Sequence, residues 1–471
     1  MWEMKKVQMF HKVWSIVGKI KFYWIFLLFL VAVSDIRHSS NFNSFKPIEN
    51  FFLVRQFFND ESTTNKYIES LKNISNSPNL RSVPNGFDET WTLRGPNKIG
   101  ARVNVIKPDP KNNQIVYLGF SSGGLWKTID GGQTWNPIFD NFPWLAIADI
   151  NIDPTNSEII YVATGDPNIS GYPFVGDGVY KSVDGGQTWK NIGPTGTQVV
   201  SKILINPVNP LILYASSMGL PFQRDKLRGI YKSINGGITW EKVWHVADDT
   251  GIIDLILDPF NANIIYAASW PRVRNNRESL LSGINATIFK SVDGGITWNK
   301  SDNGLKLGPK GRIGLVASKL TPNLLFSIVI GENNEWEGFY KSINGGANWV
   351  NLLTNTGSNS LPDNAMGGFG WYFGKIEINP KNDKDLFILG VDLWRSNDGG
   401  VTWFLGAPPW YENKVHADKH DLVFLNDTDL LLASDGGVYQ SKDNGQRWID
   451  YEEVPATQFY RIASNPHETD V

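Results

Sequence analysis

An eight-residue segment, which we call the octet, recurs seven times in this chain at a period of about 50 residues. It begins with Ser or Thr, continues through Asp or Asn and one or two glycines, and ends at Trp, as in Thr128–Trp135. The later copies are Ser182–Trp189, Ser233–Trp240, Ser291–Trp298, Ser342–Trp349, Ser396–Trp403 and Ser441–Trp448. A fixed period of this length is typical of propeller blades or of a solenoid.

The residue types of the octet suit a tight turn between two strands. Ser and Asp side chains accept hydrogen bonds from a turn's backbone, glycine supplies positive φ, and Trp opens the next strand with a large buried surface. The third position of the octet holds Asp130, Asp184, Asn235, Asp293, Asn344, Asp398 and Asp443 in turn. Because Asn twice replaces Asp, no carboxylate is required there, and these residues are predicted to be structural.

A second recurring pattern precedes each octet. An Asp-Pro or Asn-Pro turn, such as Asp153-Pro154, leads into a β-branched run, here Ile159–Thr164. Each unit therefore contains four strands, and seven units predict an all-β, seven-bladed propeller of four-stranded antiparallel blades over residues 92–458. A solenoid is the structural alternative.

The two ends of the chain differ from the repeats. A Lys-rich segment precedes the apolar run Phe22–Val33, so residues 1–34 are predicted to be a signal peptide cleaved after Ser34. The protein is then secreted or at the cell surface; an uncleaved membrane anchor is the alternative. Residues 35–91 are predicted to be a linker with a short helix near Phe51–Leu71. Residues 459–471 repeat the opening of a unit, which predicts a truncated further repeat, followed by a second propeller, or alternatively a closing strand.

Composition excludes several function classes. The chain has 44 basic and 47 acidic residues, a formal charge of −3, which gives no electrostatic footprint for nucleic acid. Cysteine is absent, which excludes disulfides, thiolate catalysis and cysteine metal ligands. Nothing in the sequence calls for a cofactor, and no stable membrane insertion is expected after signal cleavage.

The long variable loops are predicted to lie on the face opposite the octets, where binding chemistry concentrates on such scaffolds. Their aromatic side chains suit stacking on sugars or contact with peptides, although they can equally serve only to close the loops. The candidate binding residues on this face are Trp336, Trp371, Tyr372, Trp410, Tyr411, Asp166, Asp392 and Asp435.

One polar stretch has the spacing of a metal site. In an extended strand, His416, Asp418 and His420 would share one face. Such a set near the channel could hold a divalent cation. A hydrogen-bonded channel network without metal is the alternative.

The octets resemble the Asp-box (bacterial neuraminidase) repeats of sortilin-type Vps10 domains, tandem-propeller xyloglucanases and exported bacterial proteins with the same repeat. The resemblance covers about residues 92–471 and implies a propeller in which the Asp box is a structural turn remote from the active face. Sialidases carry a Phe/Tyr-Arg-Ile-Pro signature, but Tyr460–Ala463 lacks its proline. Sialidase activity is therefore not expected.

This chain departs from the xyloglucanase motif at the catalytic position. Those enzymes carry R-T-D-I-G-G-A-Y with a catalytic Asp in the first blade, whereas this chain has Gly119–Trp126 with Ser121 at that position. Serine cannot act as general acid or base near neutral pH, so the sequence favours an exported sortilin-like module that binds peptides or glycans. The alternative is a glycoside hydrolase with a carboxylate pair drawn from Asp166, Asp177, Asp392, Asp418 and Asp435.

Overall fold

The computed structural model describes residues 66, 68–71, 73, 100–169, 174–275, 277–352, 360–451, 454 and 456, all within one compact unit. Helical geometry is found at Lys66, Ile68–Leu71 and Asn73, which overlaps the helix predicted before the propeller. The predicted signal peptide, the first part of the linker and the segment 459–471 lie outside the described residues. No helix among those described is long and apolar enough to cross a membrane.

Seven four-stranded antiparallel sheets follow, which confirms the predicted propeller. The strands of the first three blades are β1 (Val103–Pro108), β2 (Val116–Phe120), β3 (Leu125–Thr128), β4 (Asn136–Pro137), β5 (Ile147–Ile152), β6 (Ile160–Thr164), β7 (Val179–Ser182), β8 (Lys190–Gly193), β9 (Val200–Ile205), β10 (Leu213–Ser217), β11 (Gly229–Ser233) and β12 (Glu241–Trp244).

The fourth blade carries an inserted hairpin, formed by β15 (Val273–Arg274) and β16 (Ser279–Leu280), between its second and third strands. The remaining strands are β13 (Thr250–Leu257), β14 (Ile265–Pro271), β15 (Val273–Arg274), β16 (Ser279–Leu280), β17 (Ile288–Ser291), β18 (Asn299–Lys300), β19 (Ile313–Ala317), β20 (Leu325–Ile330), β21 (Trp336–Ser342), β22 (Val350–Asn351), β23 (Lys375–Asn379), β24 (Asn382–Leu389), β25 (Leu393–Ser396), β26 (Phe404–Leu405), β27 (Lys419–Phe424), β28 (Leu430–Ser434), β29 (Gly437–Ser441) and β30 (Ile449–Asp450).

The first strands of the blades form a closed ring around a channel. Each contacts the first strand of the next blade, and β27 of the seventh blade contacts β1 of the first. Apolar packing completes the closure, since Leu431 and Val438 of the last blade share a buried cluster with Val103 and Leu118 of the first. A closed ring leaves no long unpaired sheet edge.

The octets form the turns between third and fourth strands. In the second blade, Asp184 Oδ1 accepts hydrogen bonds from the Ser182 hydroxyl at 2.7 Å and the Thr188 N–H at 2.9 Å. The octet tryptophans pack where neighbouring blades meet: Trp298, Trp349, Trp403 and Trp448 are buried, whereas Trp135, Trp189 and Trp240 are half-buried. The turn thus fixes both the hairpin and the seam between blades.

Charged residues line the channel at one level of the ring. Strand register places Val105, Asp149, Lys202, Asp254, Gly314, Lys375 and Asp421 at equivalent positions in blades one to seven. The three aspartates each accept a backbone N–H from the next blade, from Ile203 at 3.0 Å, Leu315 at 3.1 Å and Ile106 at 2.7 Å. The three aspartates therefore join adjacent blades, and the two lysines at the same level offset part of their charge.

Candidate functional site

A cluster of polar side chains lies at the end of the channel opposite the octets; we call it the mouth cluster and define it as Arg102, Asp166, Tyr372, Asp418, His420 and Asp435. Arg102 precedes β1, Asp166 follows β6 and Asp435 follows β28. First strands begin and second strands end at the same edge of each blade, so these residues meet there. The octets follow the third strands at the other edge.

A buried ion pair is the fixed part of the mouth cluster. Arg102 Nη2 lies 3.0 Å from Asp166 Oδ2, and their side chains are 8% and 0% exposed. Arg102 also donates a hydrogen bond from Nη1 to the Tyr372 hydroxyl. A buried guanidinium is stabilised only when its neighbours satisfy it. The ion pair therefore joins blades one and two, and the hydrogen bond to Tyr372 connects them to the segment that leads into blade six.

Asp435 accepts hydrogen bonds from two other residues of the mouth cluster. The Tyr372 hydroxyl lies 3.2 Å from Asp435 Oδ1, and His420 Nε2 lies 2.6 Å from the same oxygen. Since an ionised carboxylate only accepts hydrogen bonds, Nε2 of a neutral His420 carries the proton. Asp435 is still partly exposed, with 28% of its side chain open to solvent, so a ligand can reach it.

A β-bulge positions His420. The pairing of β27 with β28 shifts register between Lys419 and Asp421, which makes His420 the extra residue. Bulges re-aim side chains and are common next to active sites. First strands of four other blades carry a bulge at the same level, with Asn104, Ala148, Ser201 and Ile253 as the extra residues. The seventh blade alone, among these five, places an imidazole there.

The two blade-seven aspartates of the mouth cluster, Asp418 and Asp435, have pKa values shifted in opposite directions. Burial, followed by the negative charge of Asp435, raises the pKa of Asp418 to about 6. Burial also opposes ionisation of Asp435, but the hydrogen bond from His420 and the charge of Arg102 outweigh it and hold the pKa of Asp435 below its usual range. The Asp435 N–H donates to the Asp418 carbonyl at 3.1 Å, which keeps the two residues adjacent.

A pair of neighbouring carboxyl groups with separated pKa values can supply one proton donor and one anion. Asp418 retains a protonated fraction under weakly acidic conditions, whereas Asp435 is ionised. Both side chains remain partly accessible. This arrangement suits general acid–base chemistry on a substrate lying over the channel mouth.

The predicted binding residues are divided between this cluster and the surrounding face. Asp166, Tyr372 and Asp435 belong to the mouth cluster, and the Trp371 ring centroid lies 5.4 Å from that of Tyr372. Trp336 is half-buried and donates its indole N–H to the Pro362 carbonyl at 2.6 Å.

The rest lie away from the cluster. Trp410 and Tyr411 are exposed in the 3₁₀ turn Trp410–Glu412, where Asp392 accepts the Trp410 N–H at 2.8 Å. Asp177 accepts a hydrogen bond from Asn191 outside the cluster, at 3.1 Å.

The structure does not gather the predicted metal ligands. No group of three or more His, Cys, Asp or Glu side chains among the described residues is arranged to hold a metal ion. The prediction assumed an extended strand from His416, but β27 begins at Lys419, and Asp418 has a left-handed φ of 66°. His416 is exposed, whereas His420 is buried against Asp435. Their alternation is therefore broken at Asp418.

Sequence reasoning missed the arginines of this region. Arg102 and Arg312 occupy equivalent positions immediately before the first strands of blades one and five. Arg312 donates to Asn168 Oδ1 at 2.8 Å and to the Tyr372 carbonyl at 3.1 Å. A sequence pattern could have revealed both arginines. In Gly100–Val103 and in Gly311–Ile313, the arginine follows a glycine closely and directly precedes an apolar residue.

The chain is similar to curated xyloglucanases. Xyloglucanase Xgh74A of Acetivibrio thermocellus is 24% identical over 356 residues, covering 69% of this chain and 40% of that protein. A xyloglucanase of Hypocrea jecorina is 24% identical over 365 residues, covering 69% and 38%. The chain thus spans about 40% of the length of the curated relatives it matches. No family model matches it.

A solved structure supports the same architecture. The crystal structure of an ancestral GH74 enzyme superposes with a TM-score of 0.57 at 15% identity, covering 78% of this chain and 48% of that one. At this identity the likeness concerns the fold.

The comparisons correct the sequence-based prediction of a non-catalytic binding module. The curated relatives are xyloglucanases, which are enzymes, and none of these matches supports the sortilin-type resemblance. The prediction gave Ser121 in the first blade too much weight and ranked the carboxylates of other blades, Asp418 and Asp435 among them, only as the alternative. The glycan ligand that it allowed remains compatible with these relatives.

Proposed function

We propose that the chain is a propeller of a glycoside hydrolase acting on a β-glucan of the xyloglucan type, with Asp418 as general acid and Asp435 as the ionised carboxylate. The observation that carries the proposal is the adjacency of two partly exposed aspartates at the channel mouth, where the Asp435 N–H donates to the Asp418 carbonyl at 3.1 Å. The opposite pKa shifts of the two carboxyl groups agree with it. The curated relatives supply the substrate class. Glycoside hydrolysis needs such a pair, one carboxyl protonated and the other charged.

Strand register supports the assignment of Asp435. Val116 pairs with the first residue of the first octet and Leu430 with that of the last, so the two strands can be aligned. Ser121 follows Val116 by the same number of residues as Asp435 follows Leu430. Asp435 therefore occupies, one blade away around the ring, the position at which the xyloglucanase motif carries its catalytic Asp.

The proposed reaction follows from the two protonation states. Asp418 donates its proton to the glycosidic oxygen as the bond to the anomeric carbon breaks, and the leaving sugar departs as an alcohol. Asp435 either removes a proton from the attacking water or attacks the anomeric carbon itself. His420, Tyr372 and Arg102 keep Asp435 charged, and NMR of the product anomer distinguishes the two routes.

Export of this enzyme is part of the proposal. Its support is the N-terminal pattern of basic residues, apolar core and small residues around Ser34. An enzyme that acts on a polysaccharide of this class would encounter its substrate outside the cell, which is consistent with a signal peptide.

The test is hydrolysis of xyloglucan and of unbranched β-glucan by the natural protein, followed as release of reducing ends. Asp435→Asn and Asp418→Asn should each lower kcat about 100- to 10,000-fold. Asp177→Asn, on the same face outside the cluster, is the matched control and should retain activity. Aryl glycosides with good leaving groups should restore Asp418→Asn but not Asp435→Asn. Lack of hydrolysis by the native protein, or full activity of both variants, would reject the proposal.

A further inference from the structure

A stack of arginines and tryptophans lies beside the mouth cluster on the side of blades four and five. The Arg272 guanidinium is 5.4 Å from the Trp270 ring centroid and 5.2 Å from that of Trp371. Arg274, from the inserted hairpin, lies 5.4 Å from the same Trp371 ring, and Arg312 lies 5.8 Å from Trp270. We call Arg272, Arg274, Arg312, Trp270 and Trp371 the cation–indole stack.

Positive charge in this stack is only partly neutralised. Among the described residues, Asp166 is already paired with Arg102, and Glu278 forms a two-point ion pair with Arg224. Arg274 has no carboxylate partner in the described part of the chain; burial alone lowers its pKa. Burial, followed by the charge of Arg274, also lowers the pKa of Arg272 to about 9. An anion bound here would relieve this repulsion.

The members of the stack differ in their accessibility. Arg272 is fully buried and donates to the carbonyls of Ile169 and Leu280, while its Nε has no partner among the described residues. Arg274 and Trp371 are both partly exposed. Arg272 therefore holds the indole from beneath and contributes charge, whereas Arg274 and Trp371 can touch a ligand.

We infer that Arg274 and Trp371 form a subsite for a sugar that carries a carboxylate, so that the natural substrate is a β-glucan of the proposed class whose branches include uronic acid. This inference rests on the proposed function, because it places the subsite on the same glycan. The exposed part of the Trp371 indole can pack against a pyranose ring, and a planar guanidinium pairs with a carboxylate through two hydrogen bonds. Exposed Phe369, with its ring centroid 6.4 Å from that of Trp371, extends the platform.

The subsite is continuous with the reacting groups. Trp371 and Tyr372 are consecutive, and the Tyr372 hydroxyl reaches Asp435 at 3.2 Å. A glycan that stacks on Trp371 is therefore directed toward the channel mouth. A uronic acid near, but not at, the cleaved bond would place its carboxylate beside Arg274 and away from the negative charge of Asp435.

Binding of matched acidic and neutral oligosaccharides tests the inference. The probes are uronic-acid-containing β-glycan oligosaccharides and the same molecules after chemical reduction of the carboxyl groups, measured by calorimetry with the natural protein. The acidic form should bind at least about ten-fold more tightly, because charge-assisted hydrogen bonds exceed neutral ones. The difference should shrink as salt is raised.

Three variants make the result specific. Arg274→Gln should remove the preference for the acidic oligosaccharide, and Arg274→Lys should retain part of it, since lysine keeps the charge but not the planar fork. Arg447→Gln, which removes an exposed arginine of the last octet on the opposite face, is the control and should leave the preference unchanged. Equal affinity for both probes, no effect of Arg274→Gln, or tighter binding of a polynucleotide than of the acidic glycan would overturn the inference.

The two proposals fail in different ways. Hydrolysis of neutral xyloglucan with no preference for carboxylated glycans would reject the acidic subsite and leave the hydrolase proposal standing. Arg274-dependent binding of acidic glycans without hydrolysis of any glycan would support the subsite and reject the hydrolase proposal.

Discussion

The Nε2 atom of His420 lies 2.6 Å from the Oδ1 atom of Asp435. Burial lowers the pKa of His420 despite its carboxylate partner, so the imidazole is neutral at neutral pH and donates one hydrogen bond without adding a full charge. Asp435 is thereby kept ionised by hydrogen bonds and by the more distant Arg102. The adjacent Asp418 lacks these donors, and its pKa rises instead to about 6.

The first prediction concerns the pH dependence of hydrolysis. If Asp418 is the general acid, as proposed, the rate should fall as pH rises through about 6, because the carboxyl group then loses the proton that it donates. The rate should also fall under strongly acidic conditions, below the usual range of an aspartate, where Asp435 becomes protonated. The profile of kcat/KM is thus bell-shaped with a weakly acidic optimum. A rate that increases from weakly acidic to alkaline pH contradicts the assignment.

The second prediction is that Tyr372 acts by lowering the pKa of Asp435 and not as a reacting group itself. Tyr372→Phe removes a hydroxyl that donates to Asp435, so the pKa of Asp435 should rise. The acidic limb of the kcat/KM profile should move to higher pH by about one pH unit, while the basic limb, set by Asp418, stays in place. Tyr411→Phe, on an exposed ring far along the same face, is the control. An unchanged acidic limb would show that Tyr372 acts only through packing.

The fold was predictable because its information is local and repeated. Each octet contains its own turn chemistry, and Trp135 and Trp189 mark adjacent blades by spacing alone. The channel-lining charges could also be located once the strands were aligned. Because the same local pattern occurs in all seven blades, the architecture could be predicted from the sequence.

The site was less predictable because it is assembled across blades. Arg102 and Tyr372 are 270 residues apart in sequence, and no local pattern connects them. His420 reaches Asp435 through a bulge, which an ideal alternation of strand residues cannot reveal. The same idealisation placed His416 and Asp418 on one face with His420, whereas the left-handed backbone at Asp418 breaks the alternation and leaves His416 exposed outside the mouth cluster.

The third prediction concerns the buried ion pair of Arg102 and Asp166. Arg102→Met leaves a fully buried carboxylate without its guanidinium, and the free energy of unfolding should fall by about 3–5 kcal/mol. Arg224→Met, which breaks an exposed pair with Glu278, should cost about 0–1 kcal/mol. Urea unfolding at neutral pH measures both.

A second substitution at this pair isolates the role of charge. Adding Asp166→Asn to Arg102→Met should recover part of the lost stability, because the remaining amide is uncharged. If Arg102→Met costs no more than Arg224→Met, the buried pair does not stabilise the channel mouth.

The last prediction uses the natural exchange of Asp and Asn within the octets. Asn235 Oδ1 accepts the Thr239 N–H at 2.9 Å and the Ser233 hydroxyl at 3.0 Å, the same two contacts that Asp184 makes in its octet. Asp184→Asn should therefore leave the thermal midpoint at neutral pH almost unchanged. Asp184→Ala should lower that midpoint, because the Thr188 N–H loses its acceptor.

Octets with Asp and octets with Asn should differ in how their stability responds to acid. Hydrogen bonds from Thr188 lower the pKa of Asp184 to about 2, below the value of about 3.9 expected for an unfolded chain. The stabilisation from this carboxylate is therefore complete above the unfolded pKa and is lost as pH falls through the folded one. Asp184→Asn should reduce the acid sensitivity of the thermal midpoint, and the reciprocal Asn235→Asp should increase it. If Asp184→Asn destabilises the protein at neutral pH as much as Asp184→Ala does, the carboxylate charge itself, and not the acceptor geometry, holds the turn.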